Sequence, residues 1–335
     1  MLKNAMTQPV LSVDIGGTKI LAALVSPGGE VLASDHSPTP SQEGYEAILE
    51  RVESAARRLI HKSGSAKVQP TAAAVAVAGV TDVVKGIVTT SPNLPLWRDV
   101  PLKTLLEQRL GLETFLLNDA RAAALGEHRV GAGRGASNMV FITVSTGIGG
   151  GIIIGGQLYQ GTCGAAGEIG HMVIDVNGPR CGCGNKGCLE ALASGTAIAR
   201  EATERLAHGI RSSIPQYAGG SGDITAQAVA AAAGHGDRLA QGVISRAARY
   251  LGVGLANLIN IFNPEVVVVG GGVAKMGEML LKPARRVMRQ KAFKLPASVV
   301  RIVPAQLGAE AGVIGAAMYA LECRSVRRAP PADSS

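Results

Sequence analysis

The spacing of apolar residues changes period twice in the first third of the chain. Val10 to Asp14, Ile20 to Ser26 and Glu30 to Ser34 are short apolar or alternating runs separated by Gly16-Gly17 and Gly28-Gly29, which predicts a three-stranded meander. From Ser41 to His61 the positions Tyr45, Ile48, Leu49, Val52, Ala56, Leu59 and Ile60 recur at helical spacing, so an amphipathic helix should pack on that meander. Ala72 to Ala78 and Thr114 to Leu117 read as buried strands. The Ala-rich segment Asp119 to His128 reads as a helix that begins where the second of them ends.

The pattern then restarts. Met139 to Val144, a glycine turn at Gly147 to Gly151, Ile152 to Ile154 and Gln157 to Tyr159 repeat the opening arrangement. A long helix from about Leu239 to Phe262 is stopped by Asn263-Pro264, Val266 to Val269 is a buried strand, and Gly270-Gly271-Gly272 leads into another helix. Such self-similarity predicts an internal duplication, two related α/β lobes facing a cleft. The expected organisation is a small lobe over 1–118 rejoined by a C-terminal helix over 308–322, a large lobe over 119–307, and a disordered tail over 324–335.

Composition narrows the class. The 335 residues are 47% hydrophobic but only 3% aromatic, with 44 glycines, so the cores should be aliphatic and the turns glycine-built. A net charge of +8 suits an enzyme with a polyphosphate substrate; the Lys and Arg residues read as scattered with little aromatic surface between them, so no nucleic-acid partner is expected. Met1 to Gly16 lacks the pattern of a secretory leader, and the uncharged run Gly135 to Gly167 is broken throughout by glycine, so a cytoplasmic location and no membrane partner are expected. Three of the five cysteines fall within Cys181 to Cys188, which favours a metal site over disulfides; Cys163 and Cys323 read as small hydrophobes.

Two glycine-rich turns are candidate phosphate cradles. D-I-G-G-T-K, with Asp14, Gly16, Gly17, Thr18 and Lys19, lets backbone N–H groups point out of a tight turn that side chains do not crowd, and Asp14 is placed to hold Mg²⁺. S-T-G-I-G-G-G does the same with Thr146, Gly147, Gly149 and Gly150. Either turn alone also reads as a plain hairpin; the duplicated pair favours phosphate. Gly271, in V-V-V-V-G-G-G-V, is a third point where a nucleotide base or ribose could lie against bare backbone. There is no Gly-Lys dipeptide and hence no Walker A loop. His171, from G-E-I-G-H, with Cys181, Cys183 and Cys188, from C-G-C-G-N-K-G-C, forms the closed ligand set of structural Zn²⁺, and that loop would fix Glu168 and Glu190 as hydrogen-bond acceptors. Asp119, in N-D-A at a strand's carboxyl end, reads either as an active-site carboxylate or as a helix N-cap. Glu127, His128 and Arg134 read as a solvated helix face and loop.

Taken together, the two turns, N-D-A and the G-E-I-G-H…C-x-C-G-x-x-G-C-x-E spacing resemble the bacterial ROK family of sugar kinases and repressors over Val10 to about Leu321. The resemblance implies a two-lobed, actin-like (ribonuclease-H-like) ATPase fold with an interlobe cleft, and ATP-dependent phosphorylation of a hexose 6-hydroxyl. Glucose is the first expected substrate, with N-acetylmannosamine or N-acetylglucosamine as the alternative. It further implies ATP phosphates at Gly16 to Lys19 and Thr146 to Gly151, and sugar contacts from Gly79, Asn93, Asn118, Asp119, Glu168, His171 and Glu190. Asp119 would be the catalytic base and His171 both zinc ligand and sugar contact. A homodimer or homotetramer is expected. A sugar-sensing regulator of the same family is disfavoured, because the first turn begins at Asp14 and leaves no room for a preceding DNA-binding domain.

Overall fold

A computed structural model describes residues 8–62, 69–220 and 222–328. The chain divides into two compact units, one of residues 1–135, 158–166 and 306–335, the other of residues 136–157 and 167–305. In the first unit the strands β1 (Val10–Ile15), β2 (Lys19–Val25), β3 (Val31–Pro38), β4 (Ala73–Val77) and β8 (Thr114–Asn118) form one sheet in the order β3-β2-β1-β4-β8. β1 pairs antiparallel with β2 and parallel with β4, and β4 pairs parallel with β8. A small sheet of β5 (Val80–Asp82), β6 (Ile87–Thr90) and β7 (Arg98–Val100), followed by the helix Leu102–Leu110, has no clear periodicity in sequence and was not anticipated.

In the second unit β9 (Met139–Val144), β10 (Ile148–Ile154), β11 (Gln157–Leu158), β12 (Val266–Gly270) and β13 (Arg301–Pro304) take the order β11-β10-β9-β12-β13, with β9 antiparallel to β10 and parallel to β12. The order of the five strands, and the directions of β10, β9, β12 and β13 against β2, β1, β4 and β8, match the first sheet, which is the duplication expected from the sequence. The central parallel strands of both sheets are rich in buried apolar residues, as sheets covered on two faces require: Val75, Val77 and Leu116 are buried in one, Val267, Val268 and Ile142 in the other.

The helix Tyr45–Lys62 buries Ile48, Leu49, Val52, Ala56 and Leu59 against the first sheet, each large side chain contributing roughly 1.5–3 kcal/mol. Its 3.6-residue stripe was legible in advance. The helix Arg238–Phe262 ends at Asn263, which adopts a left-handed conformation (φ 42°) before Pro264. The last helix runs Ala311–Arg328, so residues 324–328 continue it rather than begin a tail; 329–335 lie outside the described residues. The helix Asp119–Arg129, which the sequence reading starts its second lobe with, packs on this last helix in the first unit. None of the described helices is long and apolar enough to cross a membrane.

The two helices touch through glycine. A Cβ on Gly315 would lie 1.6 Å from the Ala122 carbonyl oxygen, and one on Gly126 would lie 2.6 Å from the Ala311 carbonyl oxygen. Backbone therefore meets backbone, and any side chain must push the pair apart. Gly315→Val should lower stability by at least about 1–3 kcal/mol, read as a fall in the urea midpoint. Gly234→Ala, with nothing within 4 Å of the added atom, is the matched control; equal midpoints in the two variants would contradict the packing.

Candidate functional site

The parallel strands β1, β4 and β8 end together, so the residues at and just past their ends gather at one carboxyl edge of the first unit. Asp14 lies at the end of β1, Gly79 just past β4, and Asn118 and Asp119 at the end of β8. The register aligns Ile15 with Val77 and Val77 with Asn118. Asn118, not Asp119, is the cap of the following helix: its Oδ1 accepts from Ala120 N at 3.0 Å and Arg121 N at 3.2 Å, and its Nδ2 donates to the Gly79 carbonyl at 3.2 Å. That corrects the N-cap alternative for Asp119. Gly79 holds φ +124° beneath the Thr90 carbonyl, where a side chain would clash at 2.3 Å. Asn93 is exposed, and its Cβ packs on Gly17.

Asp119 accepts a hydrogen bond from Ala120 N at 2.8 Å. Burial pushes its carboxyl above the usual carboxylate range, against the pull of backbone hydrogen bonds and of Arg121. Asp14 is pushed up to about 7, first by burial and then by the charge of Asp119, with Lys19 pulling the other way. Two carboxylates held in each other's field at an apolar sheet edge suit a hard dication or a proton-accepting task. Glycine makes room for one of them: a Cβ on Gly312 would lie 2.4 Å from Asp14 Oδ2.

The first glycine turn is closed by Gly16 N donating to the Lys19 carbonyl at 3.0 Å, and is tied down by Thr39, whose hydroxyl donates to the Gly16 carbonyl at 2.7 Å. Thr18 and Lys19 are exposed. The Gly17 and Thr18 amides meet no backbone acceptor among the described residues, which leaves them for an anion.

The second turn is shorter than its sequence suggested. Only Ser145, Thr146 and Gly147 form it, closed by Ser145 N donating to the Gly147 carbonyl at 2.8 Å. Gly149, Gly150 and Gly151 are strand residues of β10, paired with Thr143, Ile142 and Phe141. Their reason is packing: a Cβ on Gly150 would lie 2.2 Å from Ile169, and one on Gly170 would lie 2.0 Å from the Ile148 carbonyl oxygen. Glycine on both sides lets the turn Glu168–His171 lie directly on the strand, with Glu168 exposed and His171 half-buried.

One imidazole nitrogen of His171 and the sulfurs of Cys181, Cys183 and Cys188 all lie within 4.8 Å of one another. His171 Nδ1 to Cys181 Sγ and Cys183 Sγ to Cys188 Sγ are each 3.7 Å. A tetrahedron with Zn–S of ~2.3 Å has edges of ~3.7 Å, so the soft donor set has the dimensions of a four-coordinate zinc site. Gly184 (φ +96°) and Gly187 (φ +69°) shape the knuckle; an added Cβ on Gly187 would lie 1.5 Å from the Asp175 carbonyl oxygen. Burial raises the Cys181 and Cys188 thiols, the latter to about 12, so a bound ion must displace their protons.

Glu190 links this knuckle to the second turn. Its Oε2 accepts from Ile148 N at 2.9 Å, and its Oε1 lies 3.7 Å from Cys181 Sγ. The same carboxylate fills the space beside Gly147.

Gly271 (φ +90°) sits against the Val144 carbonyl and serves the bend after β12. Gly272 beside it lines a cavity of about 670 Å³ within the second unit, together with Thr146, Gly195, Thr225, Gln227 and Lys275. The Thr225–Gln227 stretch and Lys275 were missed in sequence, for no motif marks them. Glu127 was misread as solvated: it is wholly buried, and its carboxylate accepts from Ala132 N, Gln306 N and Leu307 N at 2.7–2.8 Å. His128 is buried too, whereas Arg134 is exposed as expected.

The ROK family model matches residues 10–323. The chain is 40% identical over 306 residues to a glucokinase of Halalkalibacterium halodurans, covering 91% of this chain and 92% of that one. It is 36% identical to an N-acetylmannosamine kinase of Escherichia coli, covering 93% and 98%. A ROK family glucokinase structure from Streptomyces griseus, in complex with glucose and AMPPNP, superposes with a TM-score of 0.81 at 38% identity, covering 94% of this chain and 99% of that one.

Because the folded-state pKa of Asp14 lies above its unfolded value, the unliganded fold binds a proton more tightly than the unfolded chain does between the two values. Stability should therefore fall as pH rises from about 4 to about 7 and level off beyond. Thermal melts of Asp14→Asn without nucleotide should show a shallower slope, the remainder coming from Asp119, whose carboxyl is also raised; a parental slope in the variant would rule out Asp14 as a source.

Proposed function

The chain belongs to the ROK family, and from that membership we propose that it is an ATP-dependent sugar kinase that phosphorylates the 6-hydroxyl of a hexose, glucose first. The observation that carries the reading is the pair of half-buried carboxylates with raised pKa at one sheet edge, in a chain 40% identical to a glucokinase along nearly its whole length. Asp119 takes the proton of the sugar 6-hydroxyl as that oxygen attacks the γ-phosphorus; its raised pKa improves it as a base near neutral pH. Asn118, tied to Gly79, fixes the start of the helix that carries Asp119. Gly79, Asn93, Asn118, Glu168, His171 and Glu190 bind the sugar hydroxyls. His171 turns Nδ1 to the cysteines, which leaves Nε2 for the sugar.

The amides of Gly17 and Thr18, in the turn Gly16 to Lys19, and those of Thr146 and Gly147 hold the triphosphate, and the 670 Å³ cavity of the second unit takes the nucleoside. Asp14 would hold Mg²⁺, which offsets negative charge on the phosphates during transfer. Zn²⁺ at His171, Cys181, Cys183 and Cys188 is structural, closed by four protein ligands; it steadies the loop from which Glu168 and Glu190 reach the substrate. N-acetylmannosamine is the second substrate reading, supported by the 36% identity to the E. coli kinase. A cytoplasmic homodimer or homotetramer completes the proposal.

Coupled ADP release measured with glucose, mannose, fructose, N-acetylmannosamine and N-acetylglucosamine should be fastest on glucose. Asp119→Asn should lower kcat roughly 10²- to 10⁴-fold with sugar binding retained. Inactivity on all five sugars, or an unchanged kcat in the variant, would overturn the assignment.

Metal analysis of the purified chain should return one zinc per chain. Cys183→Ser should lose it and melt at a lower temperature, while zinc content unaltered by that substitution would exclude the site.

A further inference from the structure

A run of uncompensated positive charge among the described residues falls outside the residues assigned to these sites. From Met279 to Arg301 the sequence carries Lys282, Arg285, Arg286, Arg289, Lys291, Lys294 and Arg301 and no Asp or Glu, in a chain whose net charge is +8. Arg285 is held by Glu278 at 2.6 Å. The other six are exposed and form no ion pair among the described residues.

The segment folds into two successive helices. Glu278–Lys291 buries Leu280, Leu281, Ala284 and Met288, which turns Lys282, Arg286 and Arg289 outward at helical spacing along one stripe. Phe293 and the short helix Lys294–Val299 follow, and no residue of that helix is buried. Phe293 and Leu295 are 75% exposed and Val299 58%. Ile261, 67% exposed, belongs to the same surface, since Phe293 N donates to the side chain of the adjoining Asn260 at 2.9 Å.

Large apolar side chains gathered on a surface mark a contact, and the charge around them decides with what. A second copy docked by two-fold symmetry would set the same positive charges against each other. A nucleic acid would match the charge but give Leu295, Val299 and Ile261 nothing to pack on, since bases stack on aromatic and guanidinium planes. An anionic bilayer satisfies both halves: its headgroups pair with Lys and Arg, and its interface takes up Phe, Leu and Val.

We infer that this edge of the second unit is a peripheral docking surface for anionic membrane lipid. The basic residues that looked scattered in sequence are gathered here by the helical stripe, and the expectation of no membrane partner gives way at this surface. Nothing in the docking requires a spanning helix.

The full chain, sedimented with vesicles of pure phosphatidylcholine or of 70:30 phosphatidylcholine to phosphatidylglycerol, should bind the anionic vesicles at least tenfold more tightly and release them at high salt. The triple variant Lys282→Gln, Arg286→Gln, Arg289→Gln and the double variant Phe293→Ser, Leu295→Ser should each lose at least tenfold in that binding, with sugar phosphorylation unchanged. Equal binding to both vesicle types, full binding by either variant, tighter binding of a DNA duplex than of anionic vesicles, or a fall in oligomeric mass of the double variant in light scattering would each overturn the inference.

Discussion

Backbone packed against backbone is the constraint on which the site geometry depends. Three close approaches leave no room for even a methyl group: Gly315 on the Ala122 carbonyl, Gly312 on the Asp14 carboxylate, a side chain met by bare backbone, and Gly170 on the Ile148 carbonyl. The first two bring the C-terminal helix onto the carboxyl edge of the first sheet, although it lies at the far end of the chain from β1. The third lays the Glu168–His171 turn on β10. A protein interior is dense enough that a gap of one carbon is felt, so these glycines set positions rather than merely permitting them.

The electrostatics derive from that packing. Asp14 and Asp119 stand half-buried where strands end, so each carboxyl is lifted by burial, and Asp14 further by the neighbouring charge. The unliganded fold thus carries a repulsion that a cation or a proton relieves. Differential stabilisation of this kind is how binding energy is made available to a reacting centre.

The second unit solves a different problem with the same means. Its knuckle has almost no apolar core of its own beyond Cys181, Cys188 and Ala191, so four converging donors must define its shape. Glu190 carries that shape to the second glycine turn, with one oxygen on the Ile148 amide and the other facing Cys181. A residue expected only to touch sugar therefore also fixes the turn beside it.

Periodicity in the sequence determined most of the elements: the helix Tyr45–Lys62, both meanders, and the long helix ended at Asn263-Pro264. These rest on local spacing and on residues with strong backbone preferences. The cluster of His171, Cys181, Cys183 and Cys188, which could hold a metal, was legible too, because cysteine and histidine at short spacing leave few alternatives. Only the tertiary structure decided which glycines form a turn and which admit a neighbour. It likewise decided that Asn118 caps the helix in place of Asp119, that Glu127 is buried, and that Thr225, Gln227 and Lys275 share a cavity. The physical reason is common to all of these: a residue's local sequence sets the conformations it can adopt, whereas its burial and partners are set by distant segments, and those leave no mark in the local spacing.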